Sequence, residues 1–90
     1  MVTIRNNQEG KSVVVAKVHA AFEKNETVNL GRWACFYAQD DRWPRPASSV
    51  VIMDQRGEVS MILMKVASTD RRLCAEKLYH WWEREAIVLG

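Results

Sequence analysis

The chain is short of the residues that usually announce a function. It has two cysteines, two prolines and four glycines in 90 residues. Two cysteines, Cys35 and Cys74, are too few for a disulfide scaffold, and each stands among apolar neighbours where a thiol packs as a small hydrophobe. No run approaches the ~18 consecutive apolar residues that a membrane-spanning helix requires. No glycine-rich phosphate loop, paired-carboxylate motif, helix-turn-helix or zinc-finger spacing is present. Charge of one sign is also scarce: thirteen basic against eleven acidic residues leave +2. That balance neither demands nor excludes a polyanionic partner, so charge placement has to carry any such argument.

What is present is apolar material for one small domain, residues 1–90, without repeat, linker or low-complexity tract. Residues 1–7 lack the apolar core of a signal peptide, which makes a cytoplasmic location the expectation. Val2 and Ile4 alternate with Thr3 and Arg5 as a short strand, expected at a sheet edge. From Ser12, a candidate cap, Val14, Val15, Val18, Ala21 and Phe22 follow helical spacing, with Lys24-Asn25 as the stop. The β-branched run Val13-Val14-Val15 also suits a hairpin arm. Residues 27–38 read as one strand with Gly31 as a bulge or close-approach point.

Two further apolar runs, Val50–Met53 and Val59–Met64, flank Asp54-Gln55-Arg56-Gly57 and predict a β-hairpin. Ser68 or Thr69 is the expected N-cap of a last helix with Asp70 in its first turn. Cys74, Ala75, Leu78, Trp81 and Trp82 form its apolar stripe, and Lys77, His80 and Arg84 lie opposite. The fold class is therefore α+β: short N-terminal strand, helix, three-stranded antiparallel meander and C-terminal helix (β-α-β-β-β-α), with the helices packed on the sheet. The α-β-β-β-α part is similar in element order to double-stranded-RNA-binding domains. Their lysine-rich motif is absent, however, and Ser68–Cys74 stands in its place.

The expected sheet is apolar on both sides. Trp33, Cys35 and Tyr37 alternate with Ala34, Phe36 and Ala38, and Met61-Ile62-Leu63-Met64 has no polar side. Two helices on one face would leave the other open. Each large side chain left in water forfeits roughly 1.5–3 kcal/mol, against a total stability of ~5–15 kcal/mol. A self-associating or partner-binding face resolves the conflict. One helix on each face would resolve it as well.

Arg42, Trp43 and Arg45, on a segment stiffened by Pro44 and Pro46, are the residue types enriched at interface hot spots. Together with Trp33 and Tyr37 they form the expected partner-binding set. Lys65, Arg71 and Arg72 form a second set around the start of the last helix, where free N–H groups and cations suit a phosphate. His19, His80, Cys35 and Cys74 lack the short paired spacings of a zinc site, and no local feature lowers a thiol pKa. The expectation is a non-enzymatic interaction domain without metal or cofactor. It would act as an adaptor, regulator or inhibitor, as a homodimer, on a protein partner and away from membranes. Binding of RNA or DNA through the basic set is the alternative.

Overall fold

The computed structural model describes residues 2–4, 10–40, 47–54 and 61–89, the side chains of residues 40 and 86–89 excepted. The elements run β1 (Val2–Ile4), α1 (Lys11–Glu23), β2 (Val28–Leu30), β3 (Trp33–Asp40), β4 (Ala47–Asp54), β5 (Met61–Val66) and α2 (Arg71–Leu89). They form an α+β domain with one sheet in the order β1-β2-β3-β4-β5. β1 pairs parallel to β2 with α1 between them in sequence, and β2 to β5 form an antiparallel meander. β1 therefore takes the edge position expected of it.

The helical spacing of residues 12–24 forms α1, which buries Val14, Val15, Val18, Ala21 and Phe22. Its start departs from expectation. Gly10, at φ 88°, occupies the N-cap and no side chain caps the helix, so Ser12 lies inside it. Its end is a Schellman motif: Asn25 takes a left-handed φ of 56°, its N–H donates to Phe22 O, and the Glu26 N–H donates to Ala21 O at 2.9 Å. Asn tolerates this conformation better than any other residue with a side chain.

The run 27–38 is two strands rather than one. Leu30 pairs with Trp33, so Gly31 and Arg32 are the two central residues of a tight hairpin. Gly31 has φ 58°, the positive φ that a type II′ turn needs at its first central position. Its N–H also donates to Ile4 O at 2.8 Å. With four strands between the helices, the element order no longer matches that of double-stranded-RNA-binding domains. The expected β4–β5 hairpin is present as an antiparallel ladder from Ser48↔Val66 to Met53↔Met61, and its turn lies outside the described residues.

The N-cap of α2 is Asp70, one residue later than expected. Asp70 Oδ1 accepts the Arg72 N–H at 2.9 Å, and Asp70 O accepts the Cys74 N–H as the first helical bond. Ser68 Oγ instead accepts the Asp70 N–H at 3.0 Å. Buried Ser48 on β4 ties this corner to the sheet by donating to Ser68 O at 2.6 Å. The Cys74 thiol lies 3.2 Å from Ser48 Oγ, within hydrogen-bond reach.

Both helices cover the same face of the sheet. Through the register, Ile4, Leu30, Trp33 and Asp54 share one side, as do Val28, Cys35 and Ile52. The buried cluster joins residues of this side to Phe22 and Val18 of α1 and to Leu78, Tyr79 and Trp82 of α2. Of the adjacent pair Trp81 and Trp82, Trp82 is buried and Trp81 packs at the margin. The α2 backbone continues helically through Ile87-Val88-Leu89. No described helix is long and apolar enough to cross a membrane.

Candidate interaction surfaces

The side of the sheet away from the helices carries Ala34, Phe36 and Ala38 on β3, opposite Met53, Val51 and Ser49 on β4, which in turn face Met61, Leu63 and Lys65 on β5. This side grades from half-buried to open. Ala34, Phe36 and Ala38 are half-buried, whereas Met53, Leu63 and Met61 keep 41%, 52% and 61% of their surface in water. The exposed apolar patch is thus confined to the β4–β5 end. Met53 pairs directly with Met61, and Val51 with Leu63, so the patch is contiguous. Methionine is flexible and polarisable, a side chain that adapts to different partner shapes.

The expected partner-binding set does not gather on this patch. Trp33 and Tyr37 lie on the covered side, each only 8% exposed, and their rings make intramolecular contacts. Trp33 meets Trp81 edge-on at 5.4 Å under the Arg32 guanidinium at 4.5 Å. Tyr37 packs on Phe22 at 6.1 Å and donates its hydroxyl to Thr69 O at 3.4 Å. Arg42, Trp43 and Arg45 lie outside the described residues.

The second expected set is divided as well. Arg71 lies over the Tyr37 ring at 4.6 Å, with its Nε buried and without a hydrogen-bond partner. It acts as a lid on the core rather than as a solvated cation. Arg72 is exposed and faces Glu76 one turn on, at 3.8 Å. Lys65, exposed on β5, is brought instead to a different group of cations.

That group lines a groove of about 370 Å³ between β5 and α2, with Ile62 and Met64 on the strand side and Lys77, His80, Trp81 and Arg84 on the helix side. Positions 77, 80, 81 and 84 are one stripe of a helix at i, i+3, i+4, i+7. The sequence shows Lys77, His80 and Arg84 as the polar side of α2, but it gives no sign that this side borders the last strand. Lys11 of α1 adds a cation by donating to His80 Nε2 at 3.3 Å, a bond that requires the neutral imidazole with its proton on Nδ1. None of the described lining residues is acidic.

The thiols offer little reactivity. Both are unpaired and buried. Burial pushes the Cys35 thiol from 9.0 up to about 12. It raises Cys74 too, an effect opposed by the Ser48 hydroxyl and reinforced by the Asp70 charge. Among the described residues no three His, Cys, Asp or Glu side chains converge as a metal site would need. Comparison of the chain with protein-family models, with curated proteins and with solved structures found no match.

Proposed function

We propose that this chain is a small non-enzymatic interaction domain that works by occupying a surface of another macromolecule, and that it is a homodimer held by the open side of its sheet. The observation that supports this reading is the contiguous patch of Met53, Met61 and Leu63, exposed beside Phe36 and Val51 on a sheet whose other side is covered by both helices from β1 to β4. Burying the exposed half of each large side chain returns about 1 kcal/mol, and a two-fold axis lets one patch serve both copies. Two unpaired thiols with raised pKa values suit a reducing, cytoplasmic setting and are poor nucleophiles.

The test is solution mass by light scattering over a concentration series at low and high salt. A dimer that persists at high salt and becomes monomeric in Met53→Lys and Leu63→Lys supports the reading, because apolar contact is not screened. A wild-type monomer throughout the series sinks it. A second reading, RNA or DNA binding, is favoured by the cations and Trp81 at the β5–α2 groove. It requires retention of generic nucleic acid at low salt and steep loss of it as salt rises.

A further inference from the structure

The two edges of the sheet are built differently. β1 offers three residues, whereas β5 offers six, Met61–Val66, and it is the terminal strand. Among the described residues no strand pairs with its outer side. Exposed edges are normally blunted by proline, bulges, charges or a covering element. β5 has Lys65 as its only charge and no proline. Ile62, on the helix side of this strand, is 37% exposed, so β5 is open toward the groove as well as toward the patch.

A strand added outside β5 would lie about 4.8 Å from it, with side chains alternating between the two sides of the sheet. On one side they would meet Met61 and Leu63. On the other they would enter the groove, where Lys77 and Arg84 stand on the helix above Ile62 and Met64 and Lys11 is bonded to His80. No described carboxylate lines this groove. The main chain of the guest is set by the free edge and its alternation by the pleat. Its charge is set by the cations.

We propose that β5 and the groove beside it bind an extended acidic segment of a partner protein as a sixth strand, with acidic residues facing α2 and apolar residues facing the Met61–Leu63 side. This deepens the interaction-domain reading by naming the partner's chemistry; it shares Met61 and Leu63 with the proposed dimer contact and adds the outer edge of β5 and the groove. Strand addition gains affinity from main-chain hydrogen bonds and specificity from alternate side chains. A nucleic acid would satisfy the cations but not the regular donors and acceptors of a strand edge, and it would find mainly Ile62, Met64 and Trp81 beneath it.

The probe is a fluorescein-labelled peptide of eight alternating valine and glutamate residues, capped at both ends, titrated with the full chain and read by anisotropy. Saturable binding is expected, with affinity at least about tenfold weaker for the Lys77→Glu/Arg84→Glu variant. Both side chains are exposed, so circular dichroism should show that variant folded, and Lys77→Ala/Arg84→Ala should fall between the two. A peptide of the same composition with four valines followed by four glutamates should bind much more weakly. Equal binding of the two peptides, no binding of either, or tighter binding of an oligothymidylate of equal charge would each overturn the proposal. Light scattering on the same samples separates the two readings. A monomer that binds the alternating peptide removes only the homodimer, and a dimer that ignores the peptide removes only the strand-addition site.

Discussion

On β3 the two sides of the sheet carry apolar residues in equal number, yet they have opposite fates. Trp33, Cys35 and Tyr37 are buried beneath α1 and α2, while Ala34, Phe36 and Ala38 stay half-buried on the open side. The difference lies in volume and polar tips. The covered side carries two large rings whose remaining needs are met within the chain, by Trp81 and Arg32 around Trp33 and by Phe22, Arg71 and Thr69 O around Tyr37. The open side carries two alanines and one phenylalanine, with unbranched methionines on the neighbouring strands. Helices pack where large side chains interdigitate, and what remains is a flatter, adaptable surface.

The sharpest way to break this contrast is to delete volume on the covered side. Phe22 has no exposed surface and touches the Tyr37 ring, so Phe22→Ala should cost about 3–5 kcal/mol. That is a large part of the stability of a domain this size and should lower the melting temperature by at least about 12 °C. Urea denaturation checks it. A loss below about 1 kcal/mol would mean that the helix-covered side is not the cohesive core.

Burial on the covered side has a signature in pH as well. Cys35 is held neutral in the fold, with its thiol raised from 9.0 to about 12. In the unfolded chain it ionises at its ordinary value. Its stabilising contribution is therefore complete below pH 9 and is lost as pH rises toward 12, at up to about 1.4 kcal/mol per pH unit. Other groups titrate in the same range, so the measurement is a difference. The stability gap between wild type and Cys35→Ala, in reductant, should narrow from pH 8 to pH 10. A constant gap would mean that water reaches the thiol.

Much of this architecture is legible in the sequence because periodicity reports burial. Val14, Val15, Val18, Ala21 and Phe22 mark α1, and Cys74, Ala75, Leu78 and Trp82 mark α2. Periodicity fails where both sides are apolar. The period-2 pattern of β3 cannot say which set the helices cover, so Trp33 and Tyr37 look as available as Phe36 does. The hairpin at Gly31-Arg32 is hidden because only two residues separate Leu30 from Trp33, and the turn requires only one glycine. Three consecutive capping residues, Ser68, Thr69 and Asp70, leave the start of α2 undetermined until the Arg72 N–H finds Asp70 Oδ1. The groove cations are visible as the polar side of α2, but their approach to β5 is a tertiary fact.

A smaller effect is expected where the covered side holds a polar tip. The Tyr37 hydroxyl reaches Thr69 O at 3.4 Å, a long hydrogen bond. Tyr37→Phe keeps the ring beneath Arg71 and removes only that contact, so the loss should be about 0.5–1 kcal/mol. Tyr37→Leu should cost more, because the stacking of the Arg71 guanidinium goes with the ring. The ratio of the two losses in urea melts measures how far the ring, rather than its hydroxyl, closes the core.

The smallest change in folding stability belongs to the open side. Met61 is 61% exposed at the sheet edge, opposite Met53, so Met61→Ser should shift unfolding by less than about 0.5 kcal/mol when measured where the protein is monomeric. If the patch is the dimer contact, the same substitution should weaken association far more than that. The apparent stability would then fall with dilution for wild type and not for the variant, since binding to the folded state adds to its stability by mass action. A loss of more than about 2 kcal/mol that does not depend on concentration would place Met61 inside the folded unit, and the two sides of the sheet would no longer differ in kind.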